Sequence, residues 1–229
     1  MQNKKLAFGM MRLPQLDDNP EHVDLEKTCE MVDAFLQKGY TYFDTSYVYH
    51  NGKSEEFTRK ALVERHPRES FTLATKLPTW AIKSEEDVKR IFAEQLQNCG
   101  VDYFDYYLVH NLNSGFYDNI VTPYHIFEIL SEYKKEGKIK HLGFSVHDAP
   151  EFLERILNEH PEVEFVQIAF NYYDYSAAWV QSKKCYDIIR SHGKLVNIME
   201  PVKGGMLTYP PKALFEQMQA KRPGMTPAA

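Results

Sequence analysis

The run Lys5-Leu6-Ala7-Phe8-Gly9-Met10-Met11-Arg12-Leu13-Pro14 is β-rich over Lys5–Leu13, holds one glycine, and opens into no glycine-rich turn. A doubly wound sheet that binds a dinucleotide places G-x-G-x-x-G straight after its first strand, so that architecture is disfavoured. Regular alternation follows. Further β-rich runs stand at Tyr40–Asp44, Phe71–Lys76, Tyr103–His110, Ile139–Val146, Phe165–Asn171 and Leu195–Glu200, with helix-period stretches between them. Each β-plus-helix unit takes about 30 residues, the length of one βαβ step. The expected fold is α/β, a (β/α)8 barrel.

Leu25, Cys29, Val32, Phe35 and Leu36 share a helix face that Gly39 can close. Val88, Ile91, Phe92 and Leu96 share another, between an N-cap at Ser84 and Gly100. Ile126, Phe127, Leu130 and Tyr133 run to Gly137, and Ile188 and Ile189 to Gly193. Asp148 and Glu151 have the spacing of a capping box ahead of Phe152, Leu153, Ile156 and Leu157. No linker or low-complexity tract interrupts the series, so residues 1–229 read as one barrel domain. After Glu200 a short helix at Ala213–Gln219 fits, but no β-run does. About seven βα units are therefore expected, leaving the barrel one strand short and C-terminally incomplete.

Composition narrows the function. With 27 Lys and Arg against 32 Asp and Glu, the net charge of −5 gives nucleic acid or an anionic membrane no bulk attraction. No apolar run approaches the ~18 residues of a membrane helix. The apolar stretch Leu6–Met11 is too short for a signal peptide. Cys29, Cys99 and Cys185 are far apart, with no C-x-x-C. That excludes a disulfide framework and a zinc knuckle, and it suits a reducing cytoplasm.

Barrels carry their chemistry at the C-terminal ends of strands. Asp44, Lys76 and His110 end three consecutive β-runs, and Tyr49 follows Asp44 shortly before a helix capped by Ser54. Each alone has an ordinary structural explanation. Together they bring a carboxylate, an ammonium, a phenol and an imidazole to one rim. A free phenol has a pKa of about 10, high for proton exchange at neutral pH. An ammonium ~4 Å away would stabilise phenolate by ~4 kcal/mol at an effective dielectric of about 20, equivalent to about three pKa units. Asp44 would keep Lys76 charged, and His110 would orient a carbonyl oxygen. The expectation is a pocket that protonates an oxyanion through Tyr49.

Phe43-Asp44-Thr45-Ser46-Tyr47-Val48-Tyr49 with Gly52-Lys53-Ser54-Glu55 resembles the D-T-A-x-x-Y…G-x-S-E signature of the aldo-keto reductases. Thr75-Lys76 and Tyr106-Tyr107-Leu108-Val109-His110 resemble that family's lysine and histidine strands. Gly143-Phe144-Ser145, Val166-Gln167…Asn171 and Pro201-Val202-Lys203-Gly204-Gly205 follow its later landmarks in order. The resemblance runs from Leu6 to about Leu207. It implies a (β/α)8 barrel that reduces a small carbonyl substrate with NADPH, or less often NADH. Asp44, Tyr49, Lys76 and His110 fall on the catalytic positions, with Tyr49 as the acid. Ser145 and Gln167 fall on the nicotinamide carboxamide contacts, and Val202–Met206 on the phosphate-facing loop. Pro201, Val202, Lys203, Gly204 and Gly205 are thus cofactor-binding candidates. Lys203 is either a phosphate ligand or a solvated loop lysine.

Two positions depart from the pattern. Val146 stands where an asparagine often contacts the carboxamide, and Met199 where an aromatic often stacks on the nicotinamide. The family's adenine-ribose phosphate site lies in and after an eighth strand, so the sequence does not choose between NADP and NAD. Gly9–Pro14, Gly143–Asp148 and Met199–Gly205 look most like the family members of anaerobes that carry a C-terminal ferredoxin-like segment. Those bind a [4Fe–4S] cluster through a cysteine run. The three scattered cysteines form no such run, so no cluster or metal site is assigned to this chain. Two readings from other classes compete. A non-catalytic nicotinamide-binding barrel would not need the acid. A metal-dependent hydrolase would want an H-x-H pair, which the nine histidines do not supply.

Overall fold

The computed structural model describes residues 5–227. Seven strands form one sheet: β1 (Ala7–Gly9), β2 (Tyr42–Asp44), β3 (Thr72–Pro78), β4 (Phe104–Leu112), β5 (Ile139–Val146), β6 (Phe165–Ala169) and β7 (Leu195–Met199). They pair in chain order and are all parallel. That order belongs to a barrel and excludes a doubly wound sheet, whose order reverses at a switch point. The helices are α1 (Leu25–Gln37), α2 (Ser54–Thr58), α3 (Glu85–Cys99), α4 (Ser114–Phe116), α5 (Ile126–Lys135), α6 (Pro150–Glu159), α7 (Ser182–Ser191) and α8 (Lys212–Lys221). Among the described residues no strand follows β7, and no ladder joins β7 back to β1. Among the described residues no helix is long and apolar enough to cross a membrane.

Alternation along the strands makes two cores. Outward residues such as Phe43, Leu73, Tyr107, Phe144 and Ile168 pack with the predicted helix stripes into the main core. Inward residues Ala74, Leu108 and Phe165, with Tyr42 and Tyr106, form a smaller cluster inside the curl. The sheet curls far enough for Asn197 Nδ2 on β7 to donate to Tyr42 Oη on β2 at 2.9 Å. Gly143 makes room inside it. A Cβ there would lie 2.5 Å from both the ring and the carbonyl oxygen of Phe165.

Local signals mostly appear as read. Ser84 accepts from Asp87 N at the start of α3, and Gly100 closes it in the left-handed conformation. Four differences have physical causes. First, β1 stops at Gly9: Met10 N still bonds Asp44 O at 2.8 Å, the last bond of the β1–β2 pairing, and the chain turns over residues 10–12. Second, β6 and β7 end before Asn171 and Glu200. The Asn171 side chain caps a turn through Tyr173 N and Asp174 N, and Glu200 has φ 55°. Third, Ser54 is the first residue of α2 rather than its cap, and its hydroxyl donates to Met10 O at 3.2 Å. Fourth, the Asp148–Glu151 capping box does not form. Asp148 instead accepts from Ser114 N at 2.7 Å and Ala149 N at 2.6 Å, tying the loop after β5 to α4.

Candidate active site

Parallel strands in register bring the predicted rim residues together. Asp44 pairs with Ala74, two residues before Lys76, and Lys76 pairs with Leu108, two before His110. Since alternate residues share a face, all three point into the curl. Lys76 is 1% exposed. Its Nζ donates to Asp44 Oδ1 at 2.5 Å and to Thr45 O at 2.7 Å. Burial opposes the ammonium, but Asp44 and Tyr49 outweigh it and hold Lys76 above the ordinary lysine range. The expected role of Asp44 as counter-ion has a direct geometric basis.

Tyr49 opens the short helical turn Tyr49–Gly52, with Lys76 Nζ 4.9 Å from its ring centre. The phenol is not depressed as the sequence argument expects. Burial raises it above the ordinary tyrosine range, Lys76 opposes the rise, and Asp44 adds to it. An ammonium already shared with a carboxylate cannot offset both desolvation and that carboxylate. Tyr49 is therefore a fully protonated donor at neutral pH.

His110 lies at 6.1 Å from Tyr49, centre to centre, in an edge-on arrangement. Burial, then Lys76, then His147 push it down to about 3, so the ring is neutral. Its Nδ1 sits 3.2 Å from Ser46 Oγ. When Ser46 donates to Nδ1, Nε2 carries the ring proton and can donate to a carbonyl oxygen. Trp80 flanks His110 at 5.2 Å and Phe116 at 6.3 Å, making an aromatic wall beside the rim. Tyr117 takes no part in that wall, packing instead on Phe152 and donating to Glu159.

On the opposite side, Ser145 on β5 stands in register with Gln167 on β6. Ser145 Oγ accepts from Asn111 N at 2.8 Å, which leaves its own proton to donate. The Gln167 amide reaches Asp44 Oδ2 at 3.4 Å. Met199, half-buried, ends β7. Beyond it Pro201 and Val202 lead into a loop where Lys203, Gly204 and Gly205 all have positive φ. The Lys203 ammonium lies 2.6 Å from Asp174 Oδ2 and 3.7 Å from Glu200 Oε2. The cation resting on this loop is instead Arg12, whose Nη2 would be 3.3 Å from a Cβ at Gly204. Its charge also reaches the Tyr49 phenol. Sequence reasoning missed Arg12, although it follows the first strand, where the rule that found the other residues applies.

A curled, seven-stranded parallel sheet with a buried lysine–aspartate pair, a protonated tyrosine and a neutral histidine at one rim defines a class of proton-donating site. The profile of the Aldo/keto reductase family matches residues 5–224, and the chain belongs to that family. The NADH-specific methylglyoxal reductase of Escherichia coli is 27% identical over 198 residues, covering 77% of this chain and 58% of that protein. The chain thus spans little more than half the length of that relative. Among solved structures, the holo form of aldo-keto reductase AKR11C1 from Bacillus halodurans superposes with a TM-score of 0.71 and 25% identity. The match covers 90% of this chain and 65% of that one. An aldo-keto reductase from Klebsiella pneumoniae in complex with NADPH gives 0.74 at 19% identity, covering 98% and 74%. The latter likeness is one of fold.

Proposed function

We propose that this chain carries the catalytic rim of a cytoplasmic NAD(P)H-dependent reductase that converts a small aldehyde or ketone to an alcohol. The observation that carries the reading is the buried Lys76 ammonium. It is fixed to Asp44 and faces the Tyr49 ring, with a neutral imidazole beside them. The nicotinamide cofactor, when bound, supplies the hydride. This chain's residues then have separate tasks. His110 holds the carbonyl oxygen through its ring N–H. Tyr49 gives that oxygen its proton as negative charge develops, and Lys76 stabilises the phenolate left behind. Asp44 keeps Lys76 charged.

The residues present suit the cofactor. Ser145 has a proton to donate and Gln167 an amide to offer a carboxamide. The loop from Pro201 to Gly205 includes two glycines whose φ values of 67° and 95° suit close backbone approach. Arg12 brings positive charge against that loop, while the loop's own Lys203 is paired with Asp174. Met199 can pack on a flat ring through its thioether. The name of the Escherichia coli relative makes 2-oxoaldehydes the first substrates to try, with NADH and NADPH in parallel. The likeness to ferredoxin-bearing members adds a finer proposal, a longer parent protein with an eighth βα unit and a cysteine run. Sequencing past the codon for Ala229 tests that part.

The main test follows loss of nicotinamide absorbance with methylglyoxal and an aromatic aldehyde. Turnover that requires Tyr49 supports the proposal. Cofactor binding without turnover of any carbonyl would refute it and leave a nicotinamide-binding barrel.

A further inference from the structure

Behind the rim, on the outward face of β3, lies a buried polar network that the proposed chemistry does not use. Successive residues of a strand face opposite ways, so Lys76 points into the curl while Thr75 points toward the helices. Thr75 Oγ1 donates to Glu55 Oε1 at 2.7 Å. Gln95 Nε2 on α3 donates to the same oxygen at 2.8 Å, and Asn98 Nδ2 reaches Oε2 at 3.2 Å. Gln95 Nε2 also lies 3.0 Å from the backbone oxygen of Lys76. On its other side Gln95 Oε1 accepts from Tyr107 Oη on β4 at 2.5 Å. Glu55, Thr75, Gln95 and Tyr107 are all fully buried.

The helix that carries Glu55 also holds the other end of the lysine. Ser54 Oγ lies 2.9 Å from Thr45 Oγ1, and the Thr45 carbonyl receives the Lys76 ammonium. The same helix directly follows the Tyr49 turn. One short element, α2, is therefore bonded to the backbone of Lys76 through Glu55 and Gln95, to its ammonium through Ser54 and Thr45, and by covalent continuity to Tyr49.

A buried carboxyl at this place has a cost. Burial raises Glu55 to about 7, against hydrogen bonds from Thr75, Gln95 and Asn98 and the charge of Lys76 that favour its ionised form. The other titratable groups facing it are Cys99 on α3 and Tyr107 on β4, both held neutral by burial. An apolar residue of similar size would fill the space without that penalty, but would offer Thr75, Gln95 and Asn98 nothing to bond.

We propose that Glu55 is a positioning residue, which through Thr75 and Gln95 fixes the backbone of Lys76 and so sets the spacing between the lysine ammonium and the Tyr49 phenol. This rests on the reductase reading above. A displacement near 1 Å at a reacting group can cost about a hundredfold in rate, while a cofactor bound elsewhere on the rim keeps its contacts.

The experiment compares the parent chain with Glu55→Gln, Thr75→Val and Thr75→Ser. Glu55→Gln sets an amide donor against the donors of Gln95 and Asn98. Thr75→Val keeps shape and removes only the hydroxyl, which Thr75→Ser restores. Expected is a fall in kcat of about tenfold or more for the first two, with the cofactor KM nearly unchanged and most of the rate recovered in the serine variant. A second readout needs no turnover. The Lys76 ammonium, identified by its loss in Lys76→Met, should give a slowly exchanging signal in 15N-lysine spectra. That signal should shift or broaden in Glu55→Gln and Thr75→Val and return in Thr75→Ser. If Glu55→Gln does not fold, the two threonine variants decide alone. An unmoved Lys76 signal, with or without a change in kcat, overturns the proposal. A parent that reduces no carbonyl would overturn the reductase reading instead, and the lysine signal would then decide the positioning role by itself.

Discussion

The proton-donor role proposed for Tyr49 requires a protonated phenol, and burial, not the lysine, favours that form. Its phenol lies above the ordinary tyrosine range and His110 is pushed down to about 3, so neither changes charge between pH 5 and 9. Tyr49→Phe should lower carbonyl reduction by about 100-fold or more with cofactor affinity retained, since only the donor is lost. Equal rates for Tyr49→Phe and parent on an activated aldehyde would remove Tyr49 from the mechanism. In Lys76→Met the phenol should climb further, with Asp44 left as an unpaired, largely buried charge. Its pH–rate curve should therefore lie well below the parent's, and overlaying curves would show that the two residues are uncoupled. For His110 the expected result is a profile with no break near the ordinary histidine value of about 6.5. A break there that vanished in His110→Gln would mean the ring is charged at work. Asp44, Lys76 and His110 were legible in the sequence because they recur one βα step apart, although β3 and β4 each run two residues past the lysine and the histidine. Their protonation was not, because it depends on how much water each loses. The Lys203–Asp174 pair was equally hidden, since its partner comes from the loop after another strand.

Strands and helices emerged where hydrophobic periodicity placed them, because each stripe has a sheet face to cover. What periodicity could not supply were the ends set by distant partners. Ser54 turns its hydroxyl to Met10 O instead of capping its own helix, and Asp148 caps the loop at Ser114 rather than its own helix. Gly143 shows the same dependence from inside the curl, where β5 can approach Phe165 only without a Cβ. Gly143→Ala should cost about 1–3 kcal/mol by overpacking. The check is the urea midpoint, and a value equal to the parent's would mean that β5 and β6 separate freely. Glu55, which links α2 to β3 and α3, gives a pH signature. Its folded pKa of about 7 exceeds its ordinary value of 4.5. The stability it contributes is therefore fully present below pH 4.5 and lost as pH rises through 7. His110 works in the opposite sense, with stability present above 6.5 and lost as pH falls toward 3. The two overlap between pH 4.5 and 6.5, so the difference between parent and Glu55→Gln isolates the carboxyl. That difference should favour the parent more at pH 4.5 than at pH 8. A difference independent of pH would contradict a carboxyl that is protonated on burial.

The barrel could be read from alternation together with the missing glycine-rich turn after the first strand, whereas the covering of its last strand could not. Ile168 on β6 and Ile198 on β7 stand in register on the same outward face. Ile168 is 3% exposed, yet Ile198 remains 49% exposed, and Leu195, in register with inward Phe165, is 56% exposed. At the other end of the sheet Leu6, just before β1, is 55% exposed. The rims of β1 and β7 do meet through Arg12 and Gly204, but no hydrogen-bonded ladder joins the two strands among the described residues. Each outer strand thus presents unpaired backbone groups beside apolar side chains, the combination that recruits another chain. Residues 1–229 in isolation should accordingly self-associate as concentration rises. Ile198→Lys should weaken that association, because a charged side chain on the outward face of an edge strand opposes a second copy. It should leave the rim intact, since Asn197, its inward neighbour, still bonds Tyr42. Sedimentation velocity over a hundredfold range of concentration measures both outcomes. A parent that stays monomeric throughout would show that the curled sheet shields its own edges. A lysine variant that associates as strongly as the parent would move the contact away from β7.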